Sequence, residues 1–439
     1  MKALKRFFLS RKTILWLITF ILIAVIVAYF IPQRFSTTMT EMARWRSKYS
    51  FIMPLVDRLG LDHIYSTLWF SALLFMFLIS ISLSTYEQIR AALKKTFGLS
   101  GNQDAKKISL NNSLEQCTHT IKKLGYMKIA HNEKTIKFIK YPWGYLGNVL
   151  FHLGMVIVIV SSIFIVLTQR RGQINLVVGE IFPAGSPLTG EEKGLLAESL
   201  ILPDAVRLDE ITYEFWETDE QKHLSSVISF ISPGGGIERH ELAINKTASY
   251  RGIKIYQGRT FGNTFLVTLS EGKGKEFGIR LDMEYPVKRD RPSYNNFEYD
   301  MIPYLLKAKY FADAEKKSMD SSNPLLVIRL LKGGDVIGEV SLKLGESGNL
   351  GPYKAKLVGV MRWGGIILLD ISGMPGIFMG FFIIILGLGL TYFMPAREIY
   401  LIKEDMGYSL RWKAARFEDF YKEEFERIGQ NLKVKIHNE

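Results

Sequence analysis

Four apolar runs, residues 13–31, 65–85, 143–168 and 375–394, limit what this 439-residue chain can fold into. Each is close to the roughly twenty apolar residues that carry an α-helix across a bilayer at about 1.5 Å of rise per residue. Lipid offers no hydrogen bonds to a backbone, so each run is expected to be a transmembrane helix. Lys2, Lys5, Arg6, Arg11 and Lys12 precede the first run, which puts the N-terminus on the cytoplasmic side. That run is too long for a signal-peptide core and no small-x-small cleavage site follows, so it reads as a retained helix ended by Pro32 and Gln33. Counting crossings, residues 32–64 and 169–374 lie outside the cytoplasm, whereas 1–12, 86–141 and 395–439 lie inside. Trp45, Tyr49 and Phe51, mixed with Arg44, Arg46 and Lys48, suit an amphipathic interfacial segment, although its basic residues count mildly against an outer position.

The segments between the runs carry their own patterns. Residues 86–141 are rich in lysine. There Asn112-Ser113 is expected to cap a helix reaching Leu124, Gly125 to stop it, and 126–130 and 135–140 to form strands around His131-Asn132-Glu133. Across 169–374, short apolar stretches such as 226–231, 252–256 and 265–269 are separated by Gly, Pro, Asn and Asp, and Pro233-Gly234-Gly235-Gly236 is a strong turn. A mainly-β domain, sandwich-like or barrel-like, is the expectation there. After the last run, 397–402 and 408–412 are expected to pair across Asp405-Met406-Gly407. Ala414, Phe417, Tyr421, Phe425, Ile428 and Leu432 then recur at three- and four-residue steps. That helical face is expected to pack on the 86–141 module, with a partner-binding helix as the alternative. The fold class is therefore a membrane protein with four transmembrane α-helices, a large extracytoplasmic mainly-β domain and a small α+β cytoplasmic module.

Lys and Arg number 56 against 43 Asp and Glu, a net charge of +13. The excess sits beside the apolar runs, where inside-positive topology puts it, and this argues against nucleic acid as a partner. Cys117 is the only cysteine, which excludes an intrachain disulfide, a Cys-x-x-Cys pair and a cysteine-rich metal site. No nucleophile elbow, phosphate-binding glycine loop or zinc-binding helix motif occurs, so no catalytic residue is assigned.

One ionisable residue interrupts the third run. His152, in Phe151-His152-Leu153-Gly154, falls nine residues past Trp143, about 13 Å along a helix from its cytoplasmic end. A titratable group in such a setting is costly and by default functional, and imidazole is a common axial ligand of haem iron. One histidine supplies one axial ligand, so a second imidazole would have to come from another chain. Gly144, Gly147 and Gly154 share one face and would let a porphyrin or a neighbouring helix come close. The plainer alternative is a His152 that hydrogen-bonds a Ser or a carbonyl nearby. His63 lies near the outer surface before the second run, as an interfacial polar residue or a contact for a haem edge. His223 and His240 read as solvated outer-domain positions, His119, His131 and His437 as cytoplasmic and structural, and Gln257 as a buried strand residue.

Several stretches, taken in order, resemble the ResB (CcsB) family of cytochrome c biogenesis membrane proteins. Ile31-Pro32-Gln33 resembles the family's exit from the first helix. Leu59-Gly60-Leu61-Asp62, Ile64-Tyr65-Ser66 and Trp69-Phe70 resemble its entry to the second. Leu124-Gly125-Tyr126, Trp143-Gly144 and His152-Leu153-Gly154 resemble the approach to the third. In the outer domain, Ala243-Ile244-Asn245, Tyr250-Arg251-Gly252 and Ile255-Tyr256-Gln257 resemble its most recognisable line. Thr67, Ser82-Leu83-Ser84-Thr85 and Thr247 depart from the pattern, which marks a divergent member.

The resemblance implies a subunit of the System II cytochrome c synthesis complex in the bacterial inner membrane. It would pair with a ResC (CcsA) type polytopic protein, help carry haem across the membrane and present it to apocytochrome c. By the same resemblance His152 is an axial ligand of a non-covalent haem b shared with that partner, and metal is held only through the haem iron. Thioether formation would draw on the reactive groups of haem and apocytochrome, with this chain positioning them. The alternative within the family is a haem-free scaffold that docks a partner through its outer β domain, with strand addition to an exposed edge as the expected mode. A membrane-anchored sensor is the more distant rival, and the chain carries no recognisable kinase, cyclase or methyl-accepting signature.

Overall fold

The computed structural model describes residues 2–34, 37, 39–99, 106–110, 113–272, 276–319, 323–404 and 407–432. Asn112, Asp405, Met406 and His437, which figure in the sequence reading, lie outside them. The chain divides into two compact units, Met1–Val166 with Gly373–Glu439, and Leu167–Ser372.

The first unit holds four helices long and apolar enough to cross a membrane: Arg11–Phe30, Leu68–Phe97, Pro142–Thr168 and Met374–Phe393. The first and second pack through Ala24, Ala28, Ile64 and Phe70. Thr67 caps the second by accepting from the Phe70 amide, which satisfies one of the unpaired donors of a helix start. This helix does not stop with its apolar run near residue 85 but continues to Phe97. Residues 86–97 combine Ala, Leu, Gln, Glu, Lys and Arg, all good helix formers, so the backbone carries on where lipid-compatible side chains end. Gly98 then turns the chain, its amide donating to the Lys94 carbonyl at 2.8 Å.

Beyond the apolar helices lies a five-stranded antiparallel sheet in the order Lys106–Leu110, Gly407–Ala414, Arg397–Glu404, Thr135–Lys140 and Met127–His131. The hairpin that follows the fourth apolar helix therefore enters the middle of the sheet built by the 106–140 segment. Its register sets Ile399 against both Trp412 and Phe138. Helices Leu114–Lys123 and Lys422–Asn431 close the core with Cys117, Ile121, Phe425 and Ile428. Ser113 caps the first of these through the Gln116 amide. The apolar periodicity of 414–432 is split by the fold. Ala414 ends a strand, Phe417 takes a left-handed φ of 53°, and of the later positions Phe425, Ile428 and Leu432 join the core while Tyr421 packs half-buried against it.

The second unit is all antiparallel β, in one seven-stranded and two four-stranded sheets around one large core. Strand Gln221–Ile231 turns through Pro233–Gly236 into Ile237–Ala243, with the Ser232 amide on the Gly236 carbonyl at 2.9 Å and Gly235 at φ 81°. The stretches 252–256 and 265–269 are not separate strands. They belong to one 18-residue strand, Ile253–Ser270, paired along its length with Tyr353–Asp370. The Gly residues between them mark a bulge, where the register shifts between Gln257 and Phe261, rather than a chain reversal. Gly258 and Gly262 sit so close to the Gly365 and Met283 carbonyls that a Cβ at either position would collide with backbone.

Candidate functional site

The third apolar helix starts as a 3₁₀ turn, Pro142–Leu146, and becomes α-helical over Gly147–Thr168. Trp143 anchors the turn, its indole Nε1 donating to Met394 Sδ at 3.2 Å. The structure brings Gly144, Gly147 and Gly154 together as one seam, and what lies against it is chain rather than open space. A Cβ at Gly154 would come within 2.7 Å of the Gly380 carbonyl and of Ile384. One at Gly147 would strike Thr391 and the Gly387 carbonyl, and one at Gly144 the Met394 carbonyl. The third and fourth apolar helices thus approach backbone to backbone, aided by Gly380 and Gly387 from the other side. The seam is filled by a neighbouring helix, and its glycines leave no room there for a porphyrin. Gly154→Leu is expected to weaken the packing of this helix pair by about 1–3 kcal/mol through overpacking. A lowered unfolding midpoint in detergent, with Gly154→Ala intermediate, is the readout.

His152 lies five residues beyond Gly147 and two before Gly154, so roughly 140–160° around the helix from the seam. It faces away from the fourth helix and is half-buried. Its Nδ1 stands 2.8 Å from the Asn148 carbonyl one turn back. A carbonyl oxygen only accepts, so Nδ1 carries a proton, and in the neutral ring the lone pair is then on Nε2. The Phe151 ring meets the imidazole edge to face at 5.5 Å. This imidazole therefore has its tautomer fixed by its own helix and its basic nitrogen directed off the bundle's packed seam. A bond from the far ring nitrogen to a backbone carbonyl is what metal-bound histidines use to set ring orientation.

His63 has a different setting. Gln33 donates to the Ile31 and Leu61 carbonyls at 2.8 and 2.9 Å and accepts from the Ile64 amide at 3.3 Å. That bonding pins the exit of the first apolar helix to the entry of the second. Asp62, fully buried, accepts from Arg34 at 2.9 Å, Arg46 at 3.0 Å and His63 Nδ1 at 2.6 Å. His63 Nε2 lies against Gly60, where a Cβ would come within 3.0 Å of it. The sequence singled out His63 and missed the carboxylate that holds it. The signal was present in the Asp62-His63 pair; the sequence reading puts Arg46 in an amphipathic interfacial segment and gives Arg34 no role. His63 precedes the second apolar helix, whereas the Lys95 ammonium near that helix's other end lies 5.9 Å from the centre of the Tyr145 ring at the start of the third, so His63 and His152 do not form one site.

Burial alone would push the Asp62 carboxyl up. The hydrogen bonds from His63 and Arg34, with their charge, outweigh it and hold the group below the usual carboxylate range. A carboxylate depressed on folding contributes stability above its unfolded pKa of about 4, and this is lost as pH falls through the folded value. Unfolding followed from pH 7 downward is expected to show wild type losing stability below about pH 4. Asp62→Asn should start lower and flatten over the same range.

The remaining residues stay apart. His223 is exposed beside Ser225 at 3.0 Å, and His240 stands 2.9 Å from Glu238 with its ring edge-on to Phe230 and Tyr250. Gln257 is buried at the bulge, its Nε2 on the Gly258 carbonyl at 3.1 Å and its Oε1 without a partner among the described residues. Among the described residues, no three His, Cys, Asp or Glu side chains converge as a metal site.

Four apolar helices, the third and fourth joined by a glycine seam, a sheet built from two chain segments and a large β unit define a helical membrane protein. Its sequence narrows the class. The ResB-like family profile matches residues 11–331, and the chain belongs to that family. It is similar to cytochrome c biogenesis protein CcsB of Picosynechococcus sp., at 23% identity over 378 residues, spanning 83% of this chain and 74% of that one. It is similar to the protein of the same name in Synechococcus sp., at 22% over 406 residues, spanning 86% and 80%. Cytochrome c biogenesis protein Ccs1 of Rhodomonas salina is 22% identical over 366 residues, spanning 79% and 77%.

Proposed function

We propose that this chain serves cytochrome c biogenesis as the haem-handling partner of a CcsA-type polytopic membrane protein. In this reading the N-terminus and the sheet module face the cytoplasm, and the large β unit faces the outer side of the bacterial inner membrane. The basic residues at the start of the chain and along 86–141 support that orientation. His152 would supply one axial ligand to a haem b held between the two proteins, and the partner would supply the other. The observation that carries the reading is the Nδ1 bond to the Asn148 carbonyl, which leaves Nε2 basic and turned away from the glycine seam. Bound haem would bring the vinyl groups to which apocytochrome thiols add. The residues of this chain fix the imidazole's tautomer, exclude water through Phe151 and its apolar neighbours, and hold the helix against Met374–Phe393.

The test is genetic and spectroscopic together. Deleting the gene is expected to abolish covalent haem on the host's c-type cytochromes, seen by haem staining, and its return should restore it. A tagged copy purified from membranes is expected to bring the CcsA-type partner and a pyridine-haemochrome b signal with it. Normal cytochrome maturation in the deletion contradicts the role in biogenesis. A restored pathway with haem-free complex contradicts the haem ligand and leaves a scaffold that docks its partner through the β unit.

A further inference from the structure

Where the chain leaves the fourth apolar helix, a second group of aromatic side chains gathers that neither the core nor the haem reading uses. Phe393 is 85% exposed at the helix end, and Phe420, twenty-seven residues later in the chain, is 84% exposed. Between them Tyr392 and Phe417 approach to 6.0 Å between ring centroids, and Phe417 and Phe420 to 6.3 Å. The Ala415 amide donates to the Ala396 carbonyl at 2.8 Å, which fixes this segment level with the helix end. Phe417 keeps a left-handed φ of 53°, a conformation a bulky aromatic residue rarely adopts. The next helix turns Phe425 and Ile428 into the core, so Phe417 and Phe420 are the apolar residues of this stretch left outside it. Arg416, exposed, lies with its guanidinium 5.5 Å from the centre of the Tyr392 ring.

We propose that Phe417 and Phe420 form an aromatic anchor that enters the headgroup–acyl boundary of the bilayer beside the fourth apolar helix, with Arg416 and the exposed Asp419 carboxylate, 3.1 Å from Lys422, left in the headgroup layer. The occupant is lipid because the exposed rings continue directly the lipid-facing surface of Met374–Phe393 through the Tyr392–Phe417 contact. Rings with an apolar body at that depth are the belt found at membrane interfaces, and an arginine there extends to the phosphates while its stem stays on the rings. The Phe420 amide donates to the Phe417 carbonyl at 3.0 Å, and this turn sets the two rings 6.3 Å apart. The sheet module is thereby held on the membrane surface at a second point besides its covalent joints to the helices. This inference rests on the membrane-spanning reading of the fourth helix and not on haem.

The experiment uses the full chain in lipid nanodiscs, with Cys117→Ser and single cysteines carrying an environment-sensitive fluorophore. Phe420→Cys, exposed and outside the core, should leave the fold intact. Its label is expected to emit blue-shifted light, to be quenched severalfold by a spin label at a shallow acyl carbon, and to resist aqueous iodide. Glu133→Cys, in the exposed turn of the same sheet, should show the reverse. Phe381→Cys, midway along the fourth helix, should be quenched by a deep spin label and reports on the span itself. A label at 420 that behaves like the one at 133 overturns the anchor. So does a label at 420 shielded from iodide yet unquenched by lipid, which marks a protein partner instead. Failure at 381 as well overturns both the anchor and the span.

Discussion

In His152→Ala the haem recovered with the purified complex is expected to fall about tenfold or more, with the amounts of both proteins unchanged. Direction follows from the tautomer. The Nδ1 proton is committed to the Asn148 carbonyl, so Nε2 is the one nitrogen of this side chain with a lone pair to give. Magnitude follows from the setting, because a haem that loses an axial imidazole in an apolar site has no water at hand to replace it. Folding should be little affected, since the imidazole points away from the glycine seam that packs the helix and loses a bond to its own backbone and the contact with Phe151. Pyridine haemochrome absorbance per mole of complex is the measurement. Asn148→Ala is the control, because the group that matters there is a main-chain carbonyl, and haem content should stay near wild type.

Lys137→Ala is expected to cost about 3–5 kcal/mol of stability, the largest effect foreseen for any residue outside the apolar helices. The Lys137 side chain is 1% exposed, and its ammonium meets Glu398 at 2.8 Å, the Gly98 carbonyl at 3.1 Å and the Lys95 carbonyl. The three donors of the ammonium are thus all taken, two of them by carbonyls at the C-terminal end of the long second helix. Tyr400, whose ring lies 5.1 Å from the ammonium, donates its hydroxyl to Glu398 at 3.1 Å. Burial pushes that phenol up, and the nearby Glu398 charge pushes it further, so it stays a neutral donor. Removing the lysine leaves a nearly buried carboxylate and two carbonyls without their partner. Lys137→Met with Glu398→Leu should recover most of the loss, because an apolar pair of similar volume carries no stranded charge. Thermal unfolding in detergent, read by the near-ultraviolet signal of Trp412, buried in this module's core, separates the single from the double variant. Equal stability of Lys137→Ala and wild type would count against this account of the node.

How much of this was legible beforehand differs between elements. The four apolar helices and the Pro233–Gly236 hairpin follow from patterns that act locally, hydropathy and turn chemistry. The 397–414 hairpin was legible for the same reason, but not its insertion between Lys106–Leu110 and Thr135–Lys140, which is a long-range pairing that no local pattern encodes. The second helix outran its apolar run because helix propensity and lipid compatibility are separate properties, and residues 86–97 satisfy only the first. Apparent breaks at Gly258 and Gly262 proved to be places where another strand's backbone comes too close for a side chain. At the candidate site, His152 stood out through its apolar surroundings alone. What faces the three glycines did not, since close approach by a helix and by a cofactor call for the same small residues. The polar clasp at Asp62 needed Gln33, Arg34 and Arg46 brought together from separate segments, which only the fold supplies.

His152→Gly, purified with its partner and titrated with imidazole, tests the central claim most directly. A glycine leaves a cavity the size of the lost ring, and free imidazole can occupy it with the same nitrogen chemistry. The account predicts that the variant's haem signal is largely lost without imidazole and returns on titration with the low-spin spectrum of the wild-type complex. A His152→Gly complex that keeps the wild-type haem content and spectrum in the absence of imidazole would contradict it.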